Sequence, residues 1–336
     1  MNKSIVALLA GCAVSVLALV TPAAAQVQDR TIRMGATLSD QHPIGIGMQA
    51  MGACFEEQSG GKIKFQGIYN AALGGDVEMS QATRAGTLDM FVTSTSPMVG
   101  LEPKLGVFDL PFLFNNEDEA TAVLDGEFGK SLSDLMPASG LVNLSYWENG
   151  FRHVTNSKHE IKTAADFKGI RLRVVQNNIF IDAFTALGAN PVPMSWAEVF
   201  PALETRAIDG QENPLVTIND AQLADVQQYL SLTHHTYSAL MIMYSKTLWD
   251  QLSADEQKIV ADCAQVGQTA ERAAAREKSV QAREALAAAG MTITEIDAAA
   301  TDEMRTILAP IYAKYAESIG KDTIDALNAQ LATLRQ

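Results

Sequence analysis

Two arginines set two residues apart are the first groups in this chain that could do selective chemistry. They lie in Lys168-Gly169-Ile170-Arg171-Leu172-Arg173-Val174, which reads as a strand. Residues two apart on a strand share a face, and Arg173 stands nearer the strand's carboxyl end. A guanidinium is planar and matches a carboxylate with two parallel hydrogen bonds. A lone arginine is most often a solvated or structural ion pair, and that reading is adopted for Arg171. Arg152 follows Trp147-Glu148-Asn149-Gly150-Phe151 at the junction of two structural units. Gln211-Glu212-Asn213-Pro214 is a polar loop after an apolar step. Pro214 holds Asn213 extended, which would present its amide toward the same place as Arg173. Trp196 opens a helix and, taken alone, reads as a core residue.

Other chemistry is missing from the pattern. There is no P-loop, dinucleotide glycine fingerprint, nucleophile elbow, H-E-x-x-H or C-x-x-C. His234 and His235 are adjacent, so on a strand they point to opposite faces and would not share a metal. No cofactor and no metal are expected.

The elements that must position these residues alternate in type. Thr31 to Leu38 is a strand, Pro43 to Ser59 a helix closed by Gly60-Gly61, and Lys62 to Tyr69 a strand. Gly74-Gly75-Asp76 opens a helix through Arg84, with Asp76 as its plausible N-cap. Thr87 to Val92 is a third strand, running into Thr93-Ser94-Thr95-Ser96. The order recurs downstream: strand Gly169 to Val175, helix Asn177 to Leu187, extended Ala189 to Met194, helix from Ser195 to Arg206. Gly86-Thr87-Leu88-Asp89 is echoed by Ala207-Ile208-Asp209-Gly210. Strands alternating with helices imply parallel sheets covered on both faces. Two such units imply an α/β protein of two lobes, with ligands beyond the carboxyl ends of the strands. Tyr237 to Tyr244 is a further strand. A long helix starts at Ala254, and Asp302 to Gln336 is helical with breaks near Pro310 and Gly320. No linker separates the lobes, so the chain crosses between them more than once.

The N-terminus reads as a secretory leader. Met1-Asn2-Lys3 is basic, Ser4 to Val20 is apolar, and Ala23 and Ala25 form an A-x-A pattern, which puts residues 1–25 in a signal peptide and Gln26 at the mature start. The competing reading as an anchor meets a run slightly short for one and ending in Pro22. Leu8-Leu9-Ala10-Gly11-Cys12 resembles a lipobox, but the apolar run continues well past Cys12. The 336 residues carry 25 Lys+Arg and 39 Asp+Glu, a net −14 that becomes −15 once Lys3 is removed with the leader. Such a chain does not draw nucleic acid or anionic lipid at long range, so an anionic ligand must be bound by local arginines. Cys54 and Cys263 could pair in an oxidising compartment. Their distance in sequence does not decide it, and the balance falls on buried free thiols.

Taken together, several segments resemble the DctP family, the solute receptors of tripartite ATP-independent periplasmic (TRAP) transporters. They are Leu73-Gly74-Gly75-Asp76-Val77-Glu78-Met79, Ala85-Gly86-Thr87-Leu88-Asp89-Met90, Phe108-Asp109-Leu110-Pro111-Phe112-Leu113-Phe114, Trp147 to Arg152, Lys168 to Val174, Pro193-Met194-Ser195-Trp196-Ala197-Glu198-Val199-Phe200 and Ala207 to Pro214. Each is weak alone; the ordered set is not. The resemblance implies a two-lobed periplasmic binding fold with hinge-crossing strands and a long bracing helix. Its lobes would be 26–149 plus 239–278, and 150–238 plus 279–336. It implies that Arg173 clamps a ligand carboxylate, with Arg152 as a second cleft arginine and Asn213 as a supporting amide. It makes Trp196 an aromatic wall, places Ser94 at the far end of the ligand, and offers His42 and Glu78 on the first lobe's face. Val175 departs from the proline many members carry there.

The first-lobe segments facing such a cleft hold hydroxyls, amides, His42 and Glu78, but no Lys or Arg. A dicarboxylate would need a second cation there. The expected ligand is therefore a sugar acid, a uronate or aldonate, with a C4-dicarboxylate or sulfonate as the alternative within the same transporter type. The expected partners are that small acid and the TRAP membrane subunits, with the protein acting as a monomer in the periplasm. An exported sugar-acid-modifying enzyme and a sensory receptor are the readings from other classes.

Overall fold

The computed structural model describes residues 27–336. The leader, its cleavage site and Cys12 lie outside the described residues. Among the described residues, eleven strands form two sheets. They are β1 (Arg30–Gly35), β2 (Ile63–Ile68), β3 (Met90–Ser94), β4 (Leu141–Phe151), β5 (His153–Asn156), β6 (Arg171–Val174), β7 (Asn190–Pro193), β8 (Gly210–Asn213), β9 (Tyr229–Leu232), β10 (Tyr237–Ser245) and β11 (Thr292–Glu295). The first sheet runs β2-β1-β3-β10-β4 and the second β11-β9-β5-β8-β6-β7.

The helices are α1 (Pro43–Gln58), α2 (Asp76–Arg84), α3 (Glu117–Asp125), α4 (Glu127–Ser133), α5 (Asn178–Ala186), α6 (Val199–Glu204), α7 (Leu215–Asp220), α8 (Lys246–Trp249), α9 (Ala254–Ala288), α10 (Ala298–Ile319) and α11 (Lys321–Leu334). No described helix is long and apolar enough to cross a membrane.

The sheets are mixed, which corrects the expectation of parallel ones. β1, β2 and β3 are parallel, but β10 runs antiparallel to β3 and β4. In the second sheet β5 runs antiparallel to β8 and β9. The reason is connectivity. β4 leaves the first sheet through Arg152 directly into β5, and β9 returns through residues 233–236 into β10. The two crossings lie side by side, with the Arg152 amide donating to the Thr236 carbonyl at 2.9 Å.

The sequence echo between the units has a structural counterpart. Asp89 accepts from the Arg33 amide and Nε, at 3.0 and 3.2 Å, while Arg33 Nη2 reaches the Thr87 carbonyl. Asp209 accepts from the Arg171 amide and Nε, at 2.9 and 3.1 Å, while Arg171 Nη2 reaches the Arg206 carbonyl. The same arginine–aspartate clasp thus ties a strand to the turn that leads into its parallel neighbour in both lobes, β1 to β3 and β6 to β8, and Arg171 is the structural ion pair expected of it.

α9 holds 35 residues, about 52 Å of helix. Its first half packs on α1 and β4, and its second half places Ala282 and Leu286 in the apolar core with Leu215, Ile218 and Leu230. Close approach to α1 depends on glycine. A Cβ at Gly47 or Gly267 would stand 2.6 or 2.7 Å from the buried Trp147 ring. The same approach brings the Cys54 and Cys263 Cα atoms to 5.5 Å, and the two are joined in a disulfide. This corrects the free-thiol reading: helix packing, invisible in the spacing of 209 residues, sets the distance. Replacing both cysteines by serine should lower stability by about 2–4 kcal/mol, read as an earlier urea midpoint at an unchanged slope.

α10 and α11 break at Gly320 (φ 91°), as expected, but Pro310 lies inside α10. Pro310 and Thr306 are both exposed. The carbonyl that loses its helical donor therefore faces water, which removes most of the penalty. α10 packs on α5, and α11 on α3 and α4.

Candidate functional site

The carboxyl ends of β3, β6 and β8 meet across a cleft. Its cavity, about 60 Å³, is lined by Thr37, Asp76, Thr93 and Ser94 on one side, and by Arg173, Val175, Trp196, Asn213 and Thr217 on the other. Asn149 and Arg152 contribute from the crossing segment. A larger cavity of about 350 Å³ opens behind the crossing strands and shares Asn149. Its one arginine, Arg276, already pairs with Asp118 and Glu148. The smaller cavity is the better site because its chief cation is unpaired.

That cation is Arg173. It is 4% exposed, and no carboxylate among the described residues lies within ion-pair distance. Nε and Nη2 both donate to the Met194 carbonyl, at 3.0 and 2.7 Å. The guanidinium carbon stands 5.7 Å from the Trp196 ring centroid. Burial pulls its pKa down to about 10, against the pull of Glu212 and Asp76. It stays charged at neutral pH. A buried charge without a partner is costly, so an anion brought to it is strongly favoured.

Arg152 is different. Its Nε and Nη2 grip both carboxylate oxygens of Glu212, and Nη2 also reaches the Glu212 carbonyl at 2.7 Å. His235 Nε2 lies 3.2 Å from the same carboxylate. Burial pushes the Glu212 pKa up, but Arg152 and His235 outweigh it and hold it down at about 2. Arg152 lines the cavity with its charge largely neutralised. Only Nη1 faces elsewhere, toward Ser238 Oγ at 3.4 Å.

Asn213 is held by a chain of directed hydrogen bonds. Gln227 Nε2 donates to the Asp209 carbonyl at 3.4 Å, Thr155 Oγ1 to Gln227 Oε1 at 2.9 Å, Gln211 Nε2 to Thr155 Oγ1 at 3.0 Å, and Asn213 Nδ2 to Gln211 Oε1 at 2.7 Å. A carbonyl only accepts. The anchor at Asp209 therefore sets the direction of every bond in the chain and orients the Asn213 amide.

The remaining candidates divide. Ser94 lies at the end of β3 on the cleft wall, and Trp196 packs against the cores of both lobes. His42 is buried and caps α1: Nδ1 accepts from the Ile44 amide, so Nε2 carries the proton and donates to Thr217 Oγ1 at 3.3 Å. Burial and the charge of Lys278 hold its pKa down at about 3. His42 thus joins the lobes from beside the cavity. Glu78 is not brought to the cleft. It is exposed, and its Oε2 accepts from the Gly75 amide at 2.9 Å, capping the start of α2 where the glycine has no side chain to do so. Gly75, not Asp76, is the N-cap, and Asp76 lines the cavity instead. The sequence marked Asp76 only as a helix-start residue, a signal shared by any capping aspartate. Thr217, joined to Asn149 at 3.3 Å, carried no signal, and Asn149 was legible only as part of the Trp147 to Arg152 segment, without a role.

The lobes are closed on each other. Ser39 Oγ donates to Asp220 Oδ1 at 2.8 Å, and Asn177 Nδ2 to Asp109 Oδ2 at 2.8 Å. Gly75 approaches Ser195 so nearly that a Cβ would lie 2.5 Å from its hydroxyl oxygen. Burial raises the pKa of Asp109 to about 7 in this junction.

Comparison with known proteins agrees with this geometry. A family model described as "Bacterial extracellular solute-binding protein, family 7" (DctP) matches residues 34–318. The sugar acid binding protein of Advenella mimigardefordensis, solved in complex with galactonate, superposes with a TM-score of 0.90 at 40% identity, over 91% of this chain and 99% of that one. A TRAP periplasmic solute-binding protein from Polaromonas sp. JS666, bound to D-erythronate, gives 0.87 at 34% identity, over 90% and 99%. The 2,3-diketo-L-gulonate-binding periplasmic protein of Escherichia coli is 36% identical over 269 residues, 80% of this chain and 82% of that one.

Proposed function

The chain belongs to the DctP family of bacterial extracellular solute-binding proteins, and on that premise we propose that it captures a sugar acid, a uronate or an aldonate, and delivers it to TRAP membrane subunits. Members of the family are periplasmic, bind small organic acids, work with those subunits, and are binding proteins of transporters rather than enzymes. The observation that carries the ligand reading is Arg173: a buried, charged guanidinium with no carboxylate partner among the described residues, facing a cavity whose other polar lining is hydroxyls, amides, the Glu212-paired Arg152 and one carboxylate, set among apolar side chains such as Leu38, Ile44 and Leu240.

We take the first lobe as residues 26–149 with 239–278 and the second as 150–238 with 279–336, the protein acting as a monomer after loss of its leader. The ligand carboxylate docks on Arg173, beside Asn213 and the Trp196 ring. Closure removes water and strengthens that contact. Because the ligand then touches Thr37, Thr93 and Ser94 as well, it binds the closed state better and shifts the population toward it. The membrane subunits read the closed form. The relatives that bind galactonate, D-erythronate and 2,3-diketo-L-gulonate support a hydroxylated acid over a bare dicarboxylate.

The test is a thermal-shift panel of galactonate, gluconate, glucuronate, galacturonate, succinate and a sulfonate. A true ligand at ~100 times its Kd adds about 2.7 kcal/mol. The sugar acids should move the melting point and succinate should move it less. A panel without any shift would overturn the reading.

A further inference from the structure

We propose that Asp76 is the specificity-determining residue of the cleft, accepting a ligand hydroxyl and turning away acids that carry a second carboxylate. This deepens the sugar-acid reading and rests on it. Asp76 is the first residue of α2, and it lines the cavity opposite Arg173 together with Thr37, Thr93 and Ser94. The capping work at this helix start is done by Gly75 and Glu78. No direct ion pair joins Asp76 to Arg173 among the described residues, yet each carboxylate and guanidinium lies within the other's field.

The charges around the cavity make the argument. Arg152 is neutralised by Glu212. Arg173 and Asp76 are then the two formal charges left facing the ligand, and they balance. A monoanion satisfies Arg173. Asp76, an acceptor when ionised, has the Thr93 hydroxyl beside it and, with two oxygens, keeps acceptor capacity for a ligand hydroxyl. A second carboxylate on the same ligand would meet it as acceptor against acceptor and charge against charge in a closed, poorly solvated cleft. Burial already raises the Asp76 pKa, so its surroundings oppose negative charge before another is added. No lysine or arginine of the first lobe lines this cavity to compensate.

Two ligand pairs test the effect: D-galactonate and D-galactarate differ only at C6, and D-glucuronate and D-glucarate differ in the oxidation of C1, with the uronate also closing to a ring. Isothermal titration of the full mature protein should show the monoacid of at least one pair bound tenfold or more tighter than its diacid. In Asp76→Asn, of nearly the same shape, the monoacid should weaken severalfold while the ratio falls at least tenfold. Asp76→Ser serves as a second variant, and a thermal melt without ligand confirms folding of both. A ratio within twofold of the parent's in the folded variants would overturn the role of Asp76 while leaving the sugar-acid reading intact. If the parent protein binds neither pair, the sugar-acid reading itself fails and this inference with it.

Discussion

Arg173→Ala should lower affinity for the bound acid at least a hundredfold without unfolding the protein. The guanidinium is buried, faces the cleft and, among the described residues, has only the Met194 carbonyl as a hydrogen-bond partner. Truncating one side of a buried, hydrogen-bonded charge pair costs about 2–5 kcal/mol. The ligand carboxylate would lose its fork and still be dehydrated by closure. Arg173→Lys keeps the charge but loses the planar pair of donors and the stacking on Trp196. It should weaken binding by a factor of ten or more, or about 1.4 kcal/mol. Stability without ligand should change little in either variant, because no ion pair is broken. Titration calorimetry together with melting curves separates the two effects. Arg173→Ala binding within threefold of the parent would mean that the acid docks elsewhere.

Glu212→Gln should have the opposite profile: a large loss of stability, about 3–5 kcal/mol at neutral pH, because it leaves Arg152 buried and unpaired. The pair is closed from solvent on both sides, with side-chain exposures of 5% and 0%. The pH dependence follows from the depressed pKa of Glu212, about 2 in the folded protein against roughly 4.3 in an unfolded chain. A depressed carboxyl contributes stability that is fully present above the unfolded value. That contribution is lost as pH falls through the folded one, on the order of 3 kcal/mol over the window between about 4.3 and 2. Urea unfolding at pH 7 and at pH 3 should therefore show a smaller deficit for the variant at the lower pH. A deficit under 1 kcal/mol at pH 7 would show that the pair does not hold the hinge.

The two variants matter together because the sequence could not tell these arginines apart. Both lie in ordered motifs, and both were expected in the cleft. Arg152 is committed to a glutamate 60 residues away on a neighbouring strand, brought there when β5 pairs with β8 in register Val154 to Glu212. Arg173 pairs in register with Gln211 instead, one residue along, where the side chains point the other way. A single step in register thus decides which guanidinium is free. Strand spacing placed Arg173 near the cleft and the family resemblance placed Arg152 there, but neither carried information about partners across the sheet.

By itself the sequence determined the alternation of strands and helices, the two units, the repeated turn ending in Asp89 and Asp209, and the position of Arg173 and Asn213 at strand ends. These are local properties, set by periodicity, glycine and proline over stretches of a few residues. Only the tertiary structure decided the antiparallel crossing strands, the Cys54–Cys263 disulfide, the capping role of Glu78, and the placing of Asp76, Asn149 and Thr217 in the cleft. Each of these depends on segments far apart in the chain arriving at the same point, and the closeness of two such segments is a product of packing that no one-dimensional pattern records.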